Sequence, residues 1–252
     1  MIKRLINNFF RIEEVDNHKI VFFCGIKVKF RVNKNGYNIN GQNNKIIVVE
    51  NGKERELKKD ERIQGLEIII NGNYNIIKLH APLKFIDCFW DIKSDNGYVE
   101  IESPKYSISL YLCMAHKNEK LIIKKPIFIS SMKCFLAEDY SSVYIDEGVM
   151  ISMEVILMPN DAHPIFDLKT GKRINYIKNE VYIGKHCWIG MRASILKNVK
   201  IPNNTIIGFG SVITKSFEEE YTAIAGNPAK IVTRNVNWDE SLEKKNEYNN
   251  LV

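Results

Sequence analysis

The feature that most restricts the fold is a six-residue period. Ile183, Ile189, Ile195, Ile201, Ile207 and Ile213 recur at every sixth position without a gap. Two places before each following isoleucine stands Cys187, Ala193, Val199, Thr205 or Ser211, mostly small residues. An α-helix brings together residues three and four apart, so a strict six does not suit it. A sandwich strand alternates with period two and then turns, which an unbroken run of this length does not suit either. A triangular coil fits. Six residues form each flat side, one aliphatic side chain per side points inward, and a small residue sits near each corner. Three sides close a coil of about eighteen residues, and stacked coils align their aliphatic ladders into a one-dimensional core.

Upstream runs a second period. Pro82, Pro104 and Pro126 are spaced by twenty-two, with Gly148 in the next place. Ile77, Val99, Leu121 and Val143 share that spacing, as do Leu79, Ile101, Ile123 and Ile145. These read as coils of the same solenoid with about four extra residues each, bulged at the proline corner, where proline fixes φ and spares the ladder a donor. The six-residue phase begins at Ile145, Ile151 and Leu157, breaks for a loop at 162–181, and resumes at Ile183. A long excursion from a regular solenoid is usually functional. The organisation expected is an N-terminal cap segment (1–43), a mainly β, parallel β-helix domain (44–235) and a C-terminal helix and tail (236–252).

The flanks carry weaker signals. Ile2, Leu5, Ile6, Phe9 and Phe10 place an apolar stripe on a short helix over 2–13. Ile20–Val32 alternates like one strand, with Lys27, Lys29 and Arg31 on one side. GKERELKKDER (52–62) reads as a solvated loop, and Asn237–Tyr248 as a surface helix. Both terminal segments suit the capping that an open-ended solenoid needs. The basic, apolar N-terminus also allows peripheral contact with a membrane surface.

Composition narrows the class. A net charge of +6 over 252 residues is mild, and no basic cluster or DNA-binding motif argues for nucleic acid. Five cysteines without a C-x-x-C pair fit reduced thiols in a cytoplasm. The longest apolar run, Ile20–Ile26, is too short to span a bilayer. No signal peptide is recognisable in MIKRLINNFF.

The run NDAHPIFDLKTGKRIN, then VYIGKHCWIG, ASILKNVKIPNNTIIGFGSVITKSF and AIAGNPAKIV, resembles the hexapeptide-repeat acyltransferases. The likeness covers about residues 95–235 and is greatest for the branch that O-acetylates sugars and surface polysaccharides. It implies a left-handed helix, a homotrimer with sites between subunits, acetyl-CoA as co-substrate, no metal, and a sugar hydroxyl of a bacterial-type surface glycan as acceptor. His163, which opens the long loop before Pro164, matches the family's general base. Imidazole, with an ordinary pKa near ~6.5, can take a hydroxyl proton at neutral pH. Asp161, Asp167 or a backbone carbonyl could orient its ring, and Asn160, Asp161 and Asp167 could instead contact the sugar. The Trp188 indole N–H or a backbone N–H could serve the oxyanion. The resemblance implies Trp188, Met191, Phe209 and Thr214 along pantetheine, with Lys215, Lys230 and Arg234 facing phosphates. Cys187, at an inward position, reads as core rather than as an acyl carrier. Phe89, Trp90, Tyr111, Leu112, Phe135 and Leu136 form an aromatic-rich ridge that could hold a glycan or simply pack.

Three rival readings remain. An amino-sugar N-acetyltransferase would usually add a nucleotide-binding βαβ unit, and the first 75 residues contain no G-x-G-x-x-G. A carbonic anhydrase on this helix needs three histidines around a metal, and His163 and His186 have no third partner at ligand spacing. A non-catalytic binding solenoid would keep the isoleucine ladder without needing His163, Trp188 and the GNPAK tail together.

Overall fold

A computed structural model describes residues 10–15, 18–23, 26–31, 36–58 and 61–241 of the chain. From Gly36 onward almost every strand pairs in parallel with the equivalent strand of the next coil, giving a three-sided prism. The first face runs through Lys45–Glu50, Ile76–His80, Tyr98–Ile101, Lys120–Ile123, Ser142–Ile145, Val181–Ile183 and Lys200–Ile201. The second contains Met150–Ile151, Trp188–Ile189, Ile206–Ile207 and Thr222–Gly226. The third contains Val155–Met158, Ser194–Leu196 and Val212–Ile213. Phe128–Leu136 bends around one corner and serves two faces: Ile129 pairs with Ile151, and Cys134 with Leu157.

The ladder lies where the period puts it. Ile183, Ile189, Ile195, Ile201, Ile207 and Ile213 are all buried, as are Cys187, Ala193, Val199, Thr205 and Ser211 at the corners. Thr205 and Ser211 satisfy their hydroxyls locally, on the carbonyls of Asn203 and Gly208. Aliphatic side chains stacked coil on coil lose nearly all their water contact, and this burial is the main stabilising term of such a prism.

Register also locates the extra residues of the longer coils. Leu112 pairs with Cys134 and Ile101 with Ile123. Between Leu112 and Ile123, and again between Cys134 and Ile145, the inward residues are eleven apart, whereas Ile195 and Ile201 are six apart. The bulge therefore falls between the third and first faces. Pro82, Pro104 and Pro126 follow the first face and mark a different corner, so the expected coincidence of proline and bulge does not hold. The long loop leaves from the bulged corner. Val143 pairs with Val181, 38 positions on, where Ile183 pairs with Ile201, 18 on; the loop supplies the twenty-residue difference.

The flanks differ from expectation. Phe10–Val15, His18–Phe23 and Ile26–Arg31 form a separate three-stranded antiparallel sheet. Residues 10–13 of the expected helix are thus strand, residues 2–9 lie outside the described residues, and the single strand expected over 20–32 is two. Lys53–Glu56 in the charge run is an exposed strand paired antiparallel with Lys45–Glu50. Backbone pairing at that edge overrides the solvated-loop reading of its side chains. Residues 237–241 are irregular, and the rest of the expected C-terminal helix lies outside the described residues. Among the described residues there is no helix, and so none long and apolar enough to cross a membrane.

The ridge divides by alternation. Trp90, Leu112 and Leu136 are fully buried core, while Phe89, Tyr111 and Phe135 point outward as a half-buried ladder with centroids 5.9 and 5.7 Å apart. Successive strand residues face opposite ways, so three of the six cannot meet a ligand.

Candidate active site

His163 stands at the neck of the loop, just after the third face ends at Met158. Buried Asn160 anchors the departing chain: its Nδ2 donates to the Phe135 carbonyl at 2.8 Å, and its Oδ1 accepts the Ala162 N–H at 3.0 Å. The His163 N–H then donates back to the Asp161 carbonyl at 2.6 Å, across Ala162 at φ +60°. This is a γ-turn with a non-glycine residue in the left-handed region, a strained arrangement that persists only where its surroundings hold it.

Asn175, on the returning arm, supplies much of that hold. Its Nδ2 donates to Asp161 Oδ2 and to the His163 carbonyl, both at 2.8 Å. Its Oδ1 accepts the Ile165 N–H at 2.8 Å and Arg173 Nε at 3.0 Å. Lys197, one coil on, pairs with the Asp161 carboxylate and donates to the Asn175 carbonyl at 3.1 Å. Arg173 is itself paired with Glu138. Burial alone would raise the Asp161 carboxyl, but the Lys197 ammonium and the Asn175 amide outweigh it and hold the group below its ordinary value. Beyond the neck the loop is a small hairpin, with Phe166 opposite Arg173. Asp167 caps its tip, accepting from the Thr170 N–H at 2.8 Å, the Thr170 hydroxyl at 2.9 Å and the Lys169 N–H at 3.0 Å. Those bonds, the Thr170 N–H foremost, lower its carboxyl too.

The His163 side chain is exposed, and neither ring nitrogen has a hydrogen-bond partner among the described residues. Both carboxylates considered as ring-orienting groups are engaged elsewhere: Asp161 with Lys197 and Asn175, Asp167 with its own turn. Asn160 is buried with both ends of its amide engaged by backbone.

Trp188, Met191 and Phe209 lie on the other side of the prism, whereas Thr214 and Lys215 follow the third face at the loop's own corner, one coil beyond Leu196 and Lys197. The loop leaves from the corner between the third and first faces, and Trp188 is on the second face, opposite that corner. Trp188 is 37% exposed, and its Nε1 donates to Ser152 Oγ at 3.3 Å. Phe209 is 62% exposed at the next corner, bonded through its neighbour Gly210 to the Met191 carbonyl. Thr214, Lys215 and Lys230 are exposed, with the Lys215 ammonium 5.8 Å from the Phe217 ring centroid. Arg234 is paired with Glu219 at 2.7 Å. One chain therefore gathers Trp188, Met191 and Phe209 along one side and His163 with its bracing on another. No group of three His, Cys, Asp or Glu placed to hold a metal occurs among the described residues.

Sequence reasoning missed Asn175, Lys197 and Trp238. Trp238, nearly buried, stacks on His186 and lies beside Trp188 with centroids 6.1 Å apart. The pairing of residues fourteen or more positions apart leaves no local mark in a single sequence.

A parallel β-helix of six-residue sides that throws out one histidine-bearing loop has the build of a hexapeptide-repeat transferase. Residues 180–215 match the family described as bacterial transferase hexapeptide (six repeats). The polysialic acid O-acetyltransferase of Neisseria meningitidis is 31% identical over 176 residues, which cover 70% of this chain and 80% of that protein. The polysialic acid O-acetyltransferase of Escherichia coli O1:K1 / APEC is 35% identical over 125 residues, but the match spans only 40% of its length. The crystal structure of the polysialic acid O-acetyltransferase OatWY superposes with a TM-score of 0.71 at 28% identity, covering 84% of this chain and 95% of that one. The chain belongs to the hexapeptide-repeat acetyltransferase family, in its sugar O-acetyltransferase branch.

Proposed function

We propose that this protein transfers an acetyl group from acetyl-CoA to a sugar hydroxyl of a bacterial-type surface glycan, capsule or lipopolysaccharide, with polysialic acid the first acceptor to try. The observation that carries the reading is the placement of His163: its main chain is fixed through the braced neck while its imidazole is left exposed, with neither nitrogen hydrogen-bonded among the described residues. An alcohol is a poor nucleophile until its proton leaves, and a fixed imidazole is suited to take it. The thioester supplies an activated acetyl carbonyl and a thiolate leaving group. His163 accepts the proton as the sugar oxygen bonds to the carbonyl carbon, then returns it to the sulfur as the carbon–sulfur bond breaks.

The surface around Trp188 suits a CoA thioester: half-exposed Trp188 and exposed Phe209 offer apolar contact and Lys230 a point charge for a phosphate, while exposed Lys215 offers another at the corner that carries His163. Because that surface lies opposite the corner carrying His163, the reading requires a second copy of the chain, and a homotrimer with sites between subunits meets that requirement. The loop supports it. Ile165, Phe166 and Ile174 are each more than half exposed and Leu168 is 99% exposed, an apolar surface suited to a neighbouring prism. With Trp188 Nε1 donating to Ser152, a backbone N–H is the better oxyanion donor. The cytoplasm, where acetyl-CoA is made, is the expected site of action.

The test is release of CoA thiol from acetyl-CoA, wild type beside His163→Ala, over polysialic acid, neutral glycans, nucleotide sugars and amino sugars. The expected result is release that requires a hydroxyl acceptor and falls by ~10²–10⁴ in the variant, about 3–5 kcal/mol of barrier. Release only with amino sugars would replace the reading with N-acetylation. A variant as active as wild type would remove His163 from the mechanism.

A further inference from the structure

We infer that Asn175 is a positioning residue for the transfer, fixing the main chain of His163 by joining both arms of the loop to the prism. The inference rests on the reading of His163 as the base.

Asn175 is 7% exposed, and its carboxamide uses its whole bonding capacity. Two N–H groups donate, to Asp161 Oδ2 and the His163 carbonyl, and one oxygen accepts twice, from Ile165 N–H and Arg173 Nε. An amide is the side chain that offers two donors and two acceptor sites together. Aspartate would keep the acceptors, lose both donors and set a second carboxylate against Asp161. Glutamine carries the same groups one methylene further out.

What the four bonds hold is specific. Two of them end on the main chain of His163 and Ile165, on either side of Pro164. A third ends on Asp161, whose carbonyl closes the γ-turn under Ala162. That turn has a non-glycine residue at φ +60°, so it relaxes unless its ends are held. Lys197 ties the same carboxylate to the next coil, and Arg173 ties the amide oxygen to Glu138 on the coil before. His163 is thus referenced to rigid coils on both sides of the loop, through Asn175, by bonds none of which ends on its ring. A base displaced by about 1 Å can lose on the order of 10²-fold in rate, so the bracing acts on turnover through geometry.

The experiment compares wild type, Asn175→Asp, Asn175→Leu, His163→Ala and the Asn175→Asp/His163→Ala double variant as full chains. CoA release is measured with acetyl-CoA and polysialic acid, and in parallel with water as the only acceptor. Amide hydrogen exchange across 160–176 is followed by mass spectrometry. The expected result for Asn175→Asp is a kcat lower by about 10- to 100-fold, a KM for acetyl-CoA within about twofold, and lost protection confined to 161–166. In the His163→Ala background the same substitution should lower the residual rate no further, because coupled residues are non-additive. A general structural role would instead lower both backgrounds alike and spread the exchange beyond the loop, which overturns the inference. So would unchanged exchange at 161–166, or full turnover of both Asn175 variants beside an inactive His163→Ala. Full turnover of His163→Ala would remove the base and the positioning role with it, while the exchange result would still report the brace.

Discussion

Trp238 stacks on His186 at a centroid distance of 4.6 Å and an interplanar angle of 11°, and its indole N–H donates to the His186 carbonyl at 2.9 Å. The pair closes the C-terminal tail back onto the coil that carries Trp188. His186 is at a corner in the left-handed region, φ +51°, where its carbonyl is turned out to receive the indole. Glu240, two residues on, pairs with Lys105 on an earlier coil, so the tail straps several coils together. Replacing Trp238 by alanine removes a nearly buried indole and orphans one bond. The expected loss is about 3 kcal/mol, or roughly 6–12 °C in Tm for a chain of this size, with residues 235–241 opening to protease. Denaturation of W238A beside wild type measures it; a loss under about 1 kcal/mol would mean that the tail rests on the prism without holding it.

Much of this fold was legible because the ladder repeats. Each isoleucine from 183 to 213 reports the same local geometry, so an error at one position is outvoted by the others. The site was legible only where it is local in sequence. His163 is marked by its place before Pro164 at the mouth of a break in the period. The groups that hold it are not marked, because Asn175 and Lys197 reach Asp161 across 14 and 36 residues. The ridge shows a third case. Phe89 and Trp90 are neighbours of similar composition, yet one faces out and the other is core, packed edge-on against Phe85 at 5.7 Å. Reading pairs of adjacent apolar residues as one surface ignored the two-residue alternation of a strand. The flanks failed for a related reason: an amphipathic helix and a short strand give ambiguous patterns over a few residues, and only pairing partners decide.

Cys187 adjoins Trp188 and is the cysteine that a covalent acyl mechanism would favour. Its Sγ is buried and donates to the Pro202 carbonyl at 3.1 Å, and burial pushes the thiol up to about 12. Thiolate, the reactive form, is therefore negligible at neutral pH. C187A is expected to keep turnover within about threefold of wild type, since the lost contact is structural. Under native conditions iodoacetamide should label half-buried Cys113 well before Cys88, Cys134 or Cys187. Acyl transfer that fails in C187A while the melting point and acetyl-CoA binding persist would reopen the covalent route.

Glu119 supplies a pH-dependent element of the fold at the bulged corner. It is fully buried, one carboxylate oxygen accepts the His116 N–H at 3.1 Å, and Oε1 has no protein partner among the described residues. Burial pushes the carboxyl from its ordinary 4.5 up to about 7, more than the His116 N–H, the Ser94 hydroxyl and the Ala115 N–H together offset, and nearby Asp139 adds to the rise. A carboxyl whose folded pKa is raised stabilises the fold in its protonated form. That contribution is complete below about pH 4.5, where both folded and unfolded chains carry the proton, and is lost as pH rises through about 7. The difference amounts to at most about 3 kcal/mol. Glu119→Gln keeps the shape, cannot ionise and retains an oxygen for the His116 N–H. Its melting temperature should lie above that of wild type at pH 8, and the two should converge towards pH 5. Parallel melting curves across that range would show that Glu119 is ionised in the folded protein and that a solvent path reaches the corner.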